Sequence, residues 1–273
     1  MSLFKRLLDF YLDSSIHTAL SCYALVRMTQ HIFQIHGNQY VAGFAFFGTI
    51  VGYNFVKYDA LARTQKIKMG KQLMAIVGLS IMAFIGAAIT FYQLDHLTQI
   101  IAIAFLALTL LYTLPFFPNK SNARNWRGIK IYIVAFCWVG VTLILPVLDA
   151  GIALTSDFYW KCLQRFLLLF VLIAIFEIID LKNDDPNLQT VPQKIGVKRT
   201  KTVGIFLLLV FYVLEFMQTK TNNLQLTVNL ILVVMMAFFL MFAHENRSKY
   251  YTSFWAESIP MIWYLMLVLI TTF

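Results

Sequence analysis

Phe176-Glu177-Ile178-Ile179-Asp180-Leu181-Lys182-Asn183-Asp184-Asp185-Pro186 is where a long apolar run ends and carboxylates begin. Glu177, Asp180 and Asp184 stand at i, i+3 and i+7, which puts all three on one face of a helix. Like charges so close repel one another, and at the rim of a hydrocarbon layer they need a cation between them. A divalent metal meets that need, so Glu177, Asp180 and Asp184 are the first candidate ligands. A solvated helix end, with Asp184 and Asp185 opening a loop ahead of Pro186, is the alternative.

Around this stretch the chain is apolar. Its 273 residues are 60% hydrophobic and 13% charged, with a mean hydropathy of +0.72. That composition describes a polytopic membrane protein rather than a soluble domain. Met1 to Asp13 mixes Lys5 and Arg6 with Asp9 and Asp13 and has no small-residue cleavage site, so no cleaved signal peptide is expected. Cys22, Cys137 and Cys162 fall singly inside apolar runs and are read as small buried hydrophobes. The net charge of +9 has no basic run interleaved with exposed aromatics, which argues against nucleic acid as a partner and for membrane topology.

Nine hydrophobic segments are each about long enough to cross a ~30 Å hydrocarbon core. They run from Ile16 to Ile35, Tyr40 to Tyr58, Leu73 to Tyr92, Leu97 to Phe117, Ile129 to Leu148, Trp160 to Asp180, Thr202 to Met217, Leu224 to Ala243 and Phe254 to Phe273. The first is the weakest, because it contains His17, Arg27 and His31, which need a protein or water-filled interior. Arg27 is deep enough to need a carboxylate or a polar pocket. The expected architecture is an all-α bundle of nine transmembrane helices forming one domain over residues 1–273.

Basic loops set the orientation. Arg63, Lys66, Lys68 and Lys71 follow the second segment, and Lys120, Arg124, Arg127 and Lys130 follow the fourth. Lys182, Lys194, Lys198, Arg199 and Lys201 follow the sixth, and Arg247 and Lys249 the eighth, while the intervening loops carry few cations. The N-terminus is therefore expected in the cytoplasm and the C-terminus on the opposite side, in an inner or plasma membrane. Cations, carboxylates and helix ends share the cytoplasmic rim, an arrangement suited to an anionic ligand.

Beyond the acidic stretch the chain continues to Thr190-Val191-Pro192-Gln193-Lys194-Ile195-Gly196. Here it resembles the UbiA superfamily of membrane-embedded aromatic prenyltransferases, in which D-x-x-D-x-x-x-D ends the sixth helix and a T-L-P-x-x-x-G element follows. Glu177, Asp180 and Asp184 match the first pattern, with Glu177 in place of an aspartate, and Thr190, Val191, Pro192 and Gly196 match the second. The family's other acidic cluster, N-D-x-x-D-x-x-x-D at the end of the second helix, is degenerate in this chain. Asn54 matches, Phe55, Tyr58 and Ala62 occupy the aspartate positions, and Asp59 is one residue out of register.

The resemblance implies that Mg²⁺ held by two acidic clusters binds a prenyl diphosphate, whose prenyl group passes to an aromatic or other lipid-soluble acceptor. On that basis Asp180 and Asp184 are the expected catalytic residues, with Glu177, Asp180, Asp184 and Asp59 as metal ligands. Asn54, Lys57, Arg63 and Lys130 are the expected diphosphate contacts. Lys130 is favoured among the cations because it opens an apolar segment and can reach back into a cavity; Lys120, Arg124 and Arg127 are further candidates. Because the first cluster is eroded, a catalytically inactive homologue serving as a lipid-binding or partner-binding scaffold is the alternative. A transporter ranks last, as no Gly- or Pro-broken helix pair at matching depth is evident. The five histidines form no metal-ligating pattern, and Gly48 and Gly52 read as a close helix approach.

Overall fold

The computed structural model describes residues 3–64, 70–113, 128–219 and 222–272, with the backbone alone for 59–64, 112, 113, 187, 271 and 272. These residues form helices and turns and no strand. A short amphipathic helix, α1 (Leu3–Asp13), precedes α2 (Ile16–Ile32), α3 (Tyr40–Thr64), α4 (Lys71–Phe91) and α5 (His96–Thr113). Then α6 (Lys130–Val139) and α7 (Leu145–Asp149) run together through a π-helical turn at Gly140–Ile144, followed by α8 (Ser156–Asp180). After a short α9 (Val191–Ile195) come α10 (Val197–Val213), α11 (Asn223–Phe242), a second π-helical turn at Tyr251–Ala256, and α12 (Ile259–Thr272). Over the described residues, each expected segment overlaps one of these helices or a run of them, while the ends of the segments Leu97 to Phe117 and Phe254 to Phe273 lie outside the described residues. Among the described residues, six helices are long and apolar enough to cross a membrane, counting α6–α7 and the last π turn with α12 as continuous.

Helix α8 is the axis of the bundle. Its Leu168, Leu169, Ile175 and Ile178 join Leu208 and Phe211 of α10, Leu232 and Met236 of α11 and Trp263 of α12 in the main core. Outward-facing positions are apolar as well: Met82, Phe84 and Ile89 on α4, Ile100 and Ile103 on α5, and Val234, Phe238 and Met241 on α11 are all exposed. Exposed apolar surface on every side is what a lipid-facing exterior requires.

Prolines explain both π turns. Pro146 has no N–H for the carbonyl of Thr142, four residues back, and its ring displaces that carbonyl from the helical ladder. Thr29 of α2 donates its hydroxyl to the freed Thr142 oxygen at 2.7 Å. Pro260 follows the second π turn, and α2 again supplies the donors. His17 Nε2 donates to the Phe254 carbonyl at 2.9 Å, and the Ser21 hydroxyl donates to the Glu257 carbonyl. The polar residues that make the first segment look unsuited to a membrane thus donate to backbone carbonyls at the irregular turns of its neighbours. Arg27 of α2 finds an amide rather than a carboxylate, donating to Gln30 Oε1 at 3.1 Å.

Two glycine expectations change. A Cβ added at Gly48 or Gly52 would meet nothing within 4 Å, so these residues open space beside α3 instead of admitting a neighbouring helix. The close approach is at Gly140, where an added Cβ would lie 2.1 to 2.4 Å from the Phe105 ring. Gly140→Ala is therefore expected to lower stability by about 1–3 kcal/mol through overpacking. Gly52→Ala should leave it unchanged or raise it slightly. Thermal melting of the detergent-solubilised protein distinguishes the two.

Outside the membrane-spanning helices, α1 is tied to the segment before the last helix. Asp9 accepts from the Tyr250 hydroxyl at 2.7 Å and from Lys249 at 2.9 Å. The Tyr250 hydrogen bond first, and the Lys249 bond next, hold the Asp9 carboxyl below the ordinary carboxylate value. Because its value is depressed in the folded state, this anchor is fully present above about pH 3.9 and is lost as pH falls through the lower folded value. Amide exchange of residues 3–13 should accelerate in that acid window, and at neutral pH in Asp9→Asn.

Candidate functional site

A cavity of about 400 Å³ lies between α2, α3, α5, α6, α8 and the start of α12. Most of its wall is apolar, including Phe44, Val56, Phe105, Leu106, Ile133, Leu169, Leu172 and Phe176. Gly48 and Gly52 lie on this wall, which is the space their missing side chains leave. Tyr53 and Trp138 also line it, and the indole N–H of Trp138 donates to the Tyr53 hydroxyl at 2.7 Å.

Charged groups gather where α8 ends. Glu177, Asp180 and Lys130 all line the cavity. Glu177 is 2% exposed, and its Oε2 accepts the backbone N–H of Val191 at 3.0 Å. This bond is the local work of the Thr-Val-Pro element. Pro192, in the first turn of α9, has no N–H and so needs no acceptor there. Gln193 Oε1 accepts the Thr190 N–H at 2.9 Å, and the first free N–H of α9 falls to Glu177. Gly196, at φ 81°, then lets the chain turn straight into α10, a conformation costly for any residue with a Cβ.

Asp180 is the last residue of α8 and is exposed at the cavity mouth. Asp184 lies beyond the helix, on a turn closed by its own N–H to the Asp180 carbonyl at 2.9 Å. Its Oδ2 is buried without a hydrogen-bond partner and sits 3.7 Å from Lys130 Nζ. Lys130, at the first position of α6, also acts electrostatically on Glu177 and Asp180. The acidic stretch and the cation favoured from sequence thus share one end of the cavity. Among the described residues, no three His, Cys, Asp or Glu side chains are close enough to enclose a metal ion by themselves.

The α3 candidates sit differently. Asn54 is buried and faces away from the cavity, donating to Ser80 Oγ of α4 at 2.9 Å, while its Oδ1 has no partner. Lys57 donates to Ser15 Oγ at 2.9 Å and to the Leu12 carbonyl at 3.4 Å, so it fastens the α1–α2 corner. Asp59 and Arg63 are on the last turns of α3, and their side chains lie outside the described residues, as do Lys120, Arg124 and Arg127 entirely.

The carboxylate that sequence reading missed is Glu257. It lines the same cavity from the π turn ahead of α12, and its Oε2 accepts the Thr18 hydroxyl at 2.8 Å. Lys57 acts on its charge from the α3 side. One signal was available: Glu257 is an acid inside an apolar segment and stands three residues before a proline.

No protein-family model and no curated protein sequence matches the chain. Solved structures do. A UbiA homologue from Archaeoglobus fulgidus, determined with bound Cd²⁺, superposes with a TM-score of 0.60 at 10% identity, covering 96% of this chain and 100% of that one. A digeranylgeranylglyceryl phosphate synthase superposes with a TM-score of 0.57 at 14% identity, covering 96% of each chain. At such identities the likeness speaks for the fold, and it extends over nearly every helix. The chain is a multi-pass integral membrane protein with the UbiA-like fold.

Proposed function

We propose that the chain is a membrane prenyltransferase, a single transmembrane domain over residues 1–273 that binds a prenyl diphosphate with Mg²⁺ and transfers the prenyl group to an aromatic or other lipid-soluble acceptor. The observation that carries this reading is an apolar cavity of about 400 Å³ with Glu177, Asp180 and Lys130 at one end. An isoprenoid tail matches the apolar wall and a metal-bound diphosphate the charged end. The basic loops support a cytoplasmic position for that end, with the N-terminus inside and the C-terminus outside.

The donors fit Mg²⁺. They are hard oxygens, and Asp184 Oδ2 is buried without a hydrogen-bond partner. Mg²⁺ is ordinarily held by one or two carboxylates together with water and phosphate oxygens, so a closed protein cage is not required. Asp180 and Asp184 would hold it, with Glu177, already bonded to Val191, steadying the α8–α9 corner and Asp59 as a further ligand. When bound, Mg²⁺ offsets the charge of the departing diphosphate.

The chain's own groups do the rest. Lys130 contacts a diphosphate oxygen and Arg63 is a further contact, whereas Asn54, bonded to Ser80, and Lys57, bonded to Ser15 and Leu12, are turned to other partners. The apolar wall excludes water from the allylic carbon. The C1–O bond breaks with its electron pair on the diphosphate, a bond forms from C1 to the acceptor, and the acceptor's proton passes to a carboxylate. Glu257, fixed by Thr18 inside the cavity, is the residue we assign to that proton.

Turnover of a prenyl diphosphate by purified protein should require a divalent cation and stop on chelation. Asp180→Asn combined with Asp184→Asn is expected to reduce it about a hundredfold or more. Unchanged turnover in the double variant would sink the assignment. Glu257→Gln should lower kcat by about 10²-fold or more while leaving the KM for the diphosphate near its original value, and it should alter the pH profile. If KM rises and kcat holds, Glu257 is a binding group instead.

A second reading has its own observation. Asn54 is engaged with Ser80, and the α3 residues that line the cavity include no carboxylate among those described. This favours an inactive homologue that keeps the bundle as a lipid-binding or partner-binding scaffold. Under it, the Asp180→Asn, Asp184→Asn protein would complement a deletion strain as fully as the unaltered chain.

A further inference from the structure

At the end of the bundle away from the acidic stretch, α8 buries a second group of charges. Lys161 Nζ bonds both Glu215 oxygens, at 2.9 and 2.8 Å, and Glu215 Oε2 also accepts from Gln164 and Asn229 at 2.9 Å each. One turn further along, Arg165 is 3% exposed. Its guanidinium donates to the Leu25 carbonyl at 3.3 Å, to Thr142 Oγ1 at 3.1 Å and to Thr29 Oγ1 at 3.3 Å, and lies 5.4 Å over the Trp263 ring. Every one of these partners is neutral. Among the described residues at this end, two buried cations therefore share one carboxylate, which is fully engaged by Lys161, Gln164 and Asn229.

A buried charge without a counter-charge costs several kcal/mol even after relaxation. Donors are also left over. A guanidinium has five N–H groups and an ammonium three, against three bonds from Arg165 and two from Lys161 to protein acceptors. Beside them is a cavity of about 10 Å³, lined by Thr29, Lys161, Gln164, Arg165, Asn229 and Trp263 among others. That is room for one occupant close to the size of a water molecule.

We propose that this cavity is a binding site for a single small inorganic anion, a halide such as chloride, acting as the counter-ion of Arg165. The ion joins α2, the π turn between α6 and α7, α8, α11 and α12 at one point, far from the acidic stretch and independent of any transferase activity.

The test is thermal melting of the full chain in detergent at constant ionic strength, with sodium chloride or bromide replacing sodium gluconate. The melting temperature should rise saturably with the halide and not with gluconate. Arg165→Gln should remove the dependence, and bromide should give an anomalous peak between Arg165 and Lys161. Equal melting in chloride and gluconate, a halide effect that survives in Arg165→Gln, or density for water alone in the cavity would each overturn the proposal. If Arg165→Gln does not fold, the halide series and the bromide peak on the unaltered chain decide it.

Discussion

The hydrocarbon interior offers no water to an unpaired carbonyl or charge, and the rest of this structure follows from that constraint. Helix α2 shows how it is met. Its sequence carries His17, Ser21 and Thr29 among apolar residues, and each side chain donates to a carbonyl at or beside one of the two π turns. Pro146 and Pro260 distort the backbone of those neighbours at opposite ends of the bundle. Without donors on α2, the Thr142 and Glu257 carbonyls would lose these partners in a low-dielectric medium, at a cost of several kcal/mol each. The helix that looks least like a membrane span is the one the broken helices depend on.

Helix α8 meets the same constraint with charge. Lys161, Gln164 and Arg165 near one end are absorbed by Glu215, Asn229, Thr29, Thr142 and the Trp263 ring. Glu177 and Asp180 at the other end meet the α9 backbone, Lys130 and the cavity. Burying Glu177 against the Val191 N–H makes the α8–α9 corner rigid. Asp180 and Asp184 are then presented from a fixed edge rather than from a fraying helix end. The apolar wall between the two polar ends is broad because Gly48 and Gly52 contribute no side chains to it.

The degenerate acidic cluster on α3 takes on a different aspect in this setting. Lys57 and Asn54 serve the α1–α2 corner and the α3–α4 contact, and Glu257 adds a carboxylate to the cavity lining from the start of α12. A residue some 200 positions away in sequence can line the same cavity as α3, because the cavity registers only which side chains reach it. Its place in the cavity is not written locally: Glu257 stands alone in Ala256-Glu257-Ser258, and no spacing pairs it with Thr18.

By itself the sequence determined the membrane class and the positions of the long helices, and it singled out Glu177, Asp180 and Asp184 with Lys130 as the favoured candidate cation. Apolar runs of sufficient length and acids at helical spacing are local signals, legible from composition and period alone. Only the tertiary structure decided that Asp184 sits on a turn beyond the helix, that Asn54 faces Ser80, that Gly48 and Gly52 open a cavity, and that Glu257 and Arg165 are buried where they are. Those facts depend on which helices lie side by side. In a bundle whose every helix is apolar, hydropathy does not distinguish one neighbour from another; the sparse polar contacts between helices do.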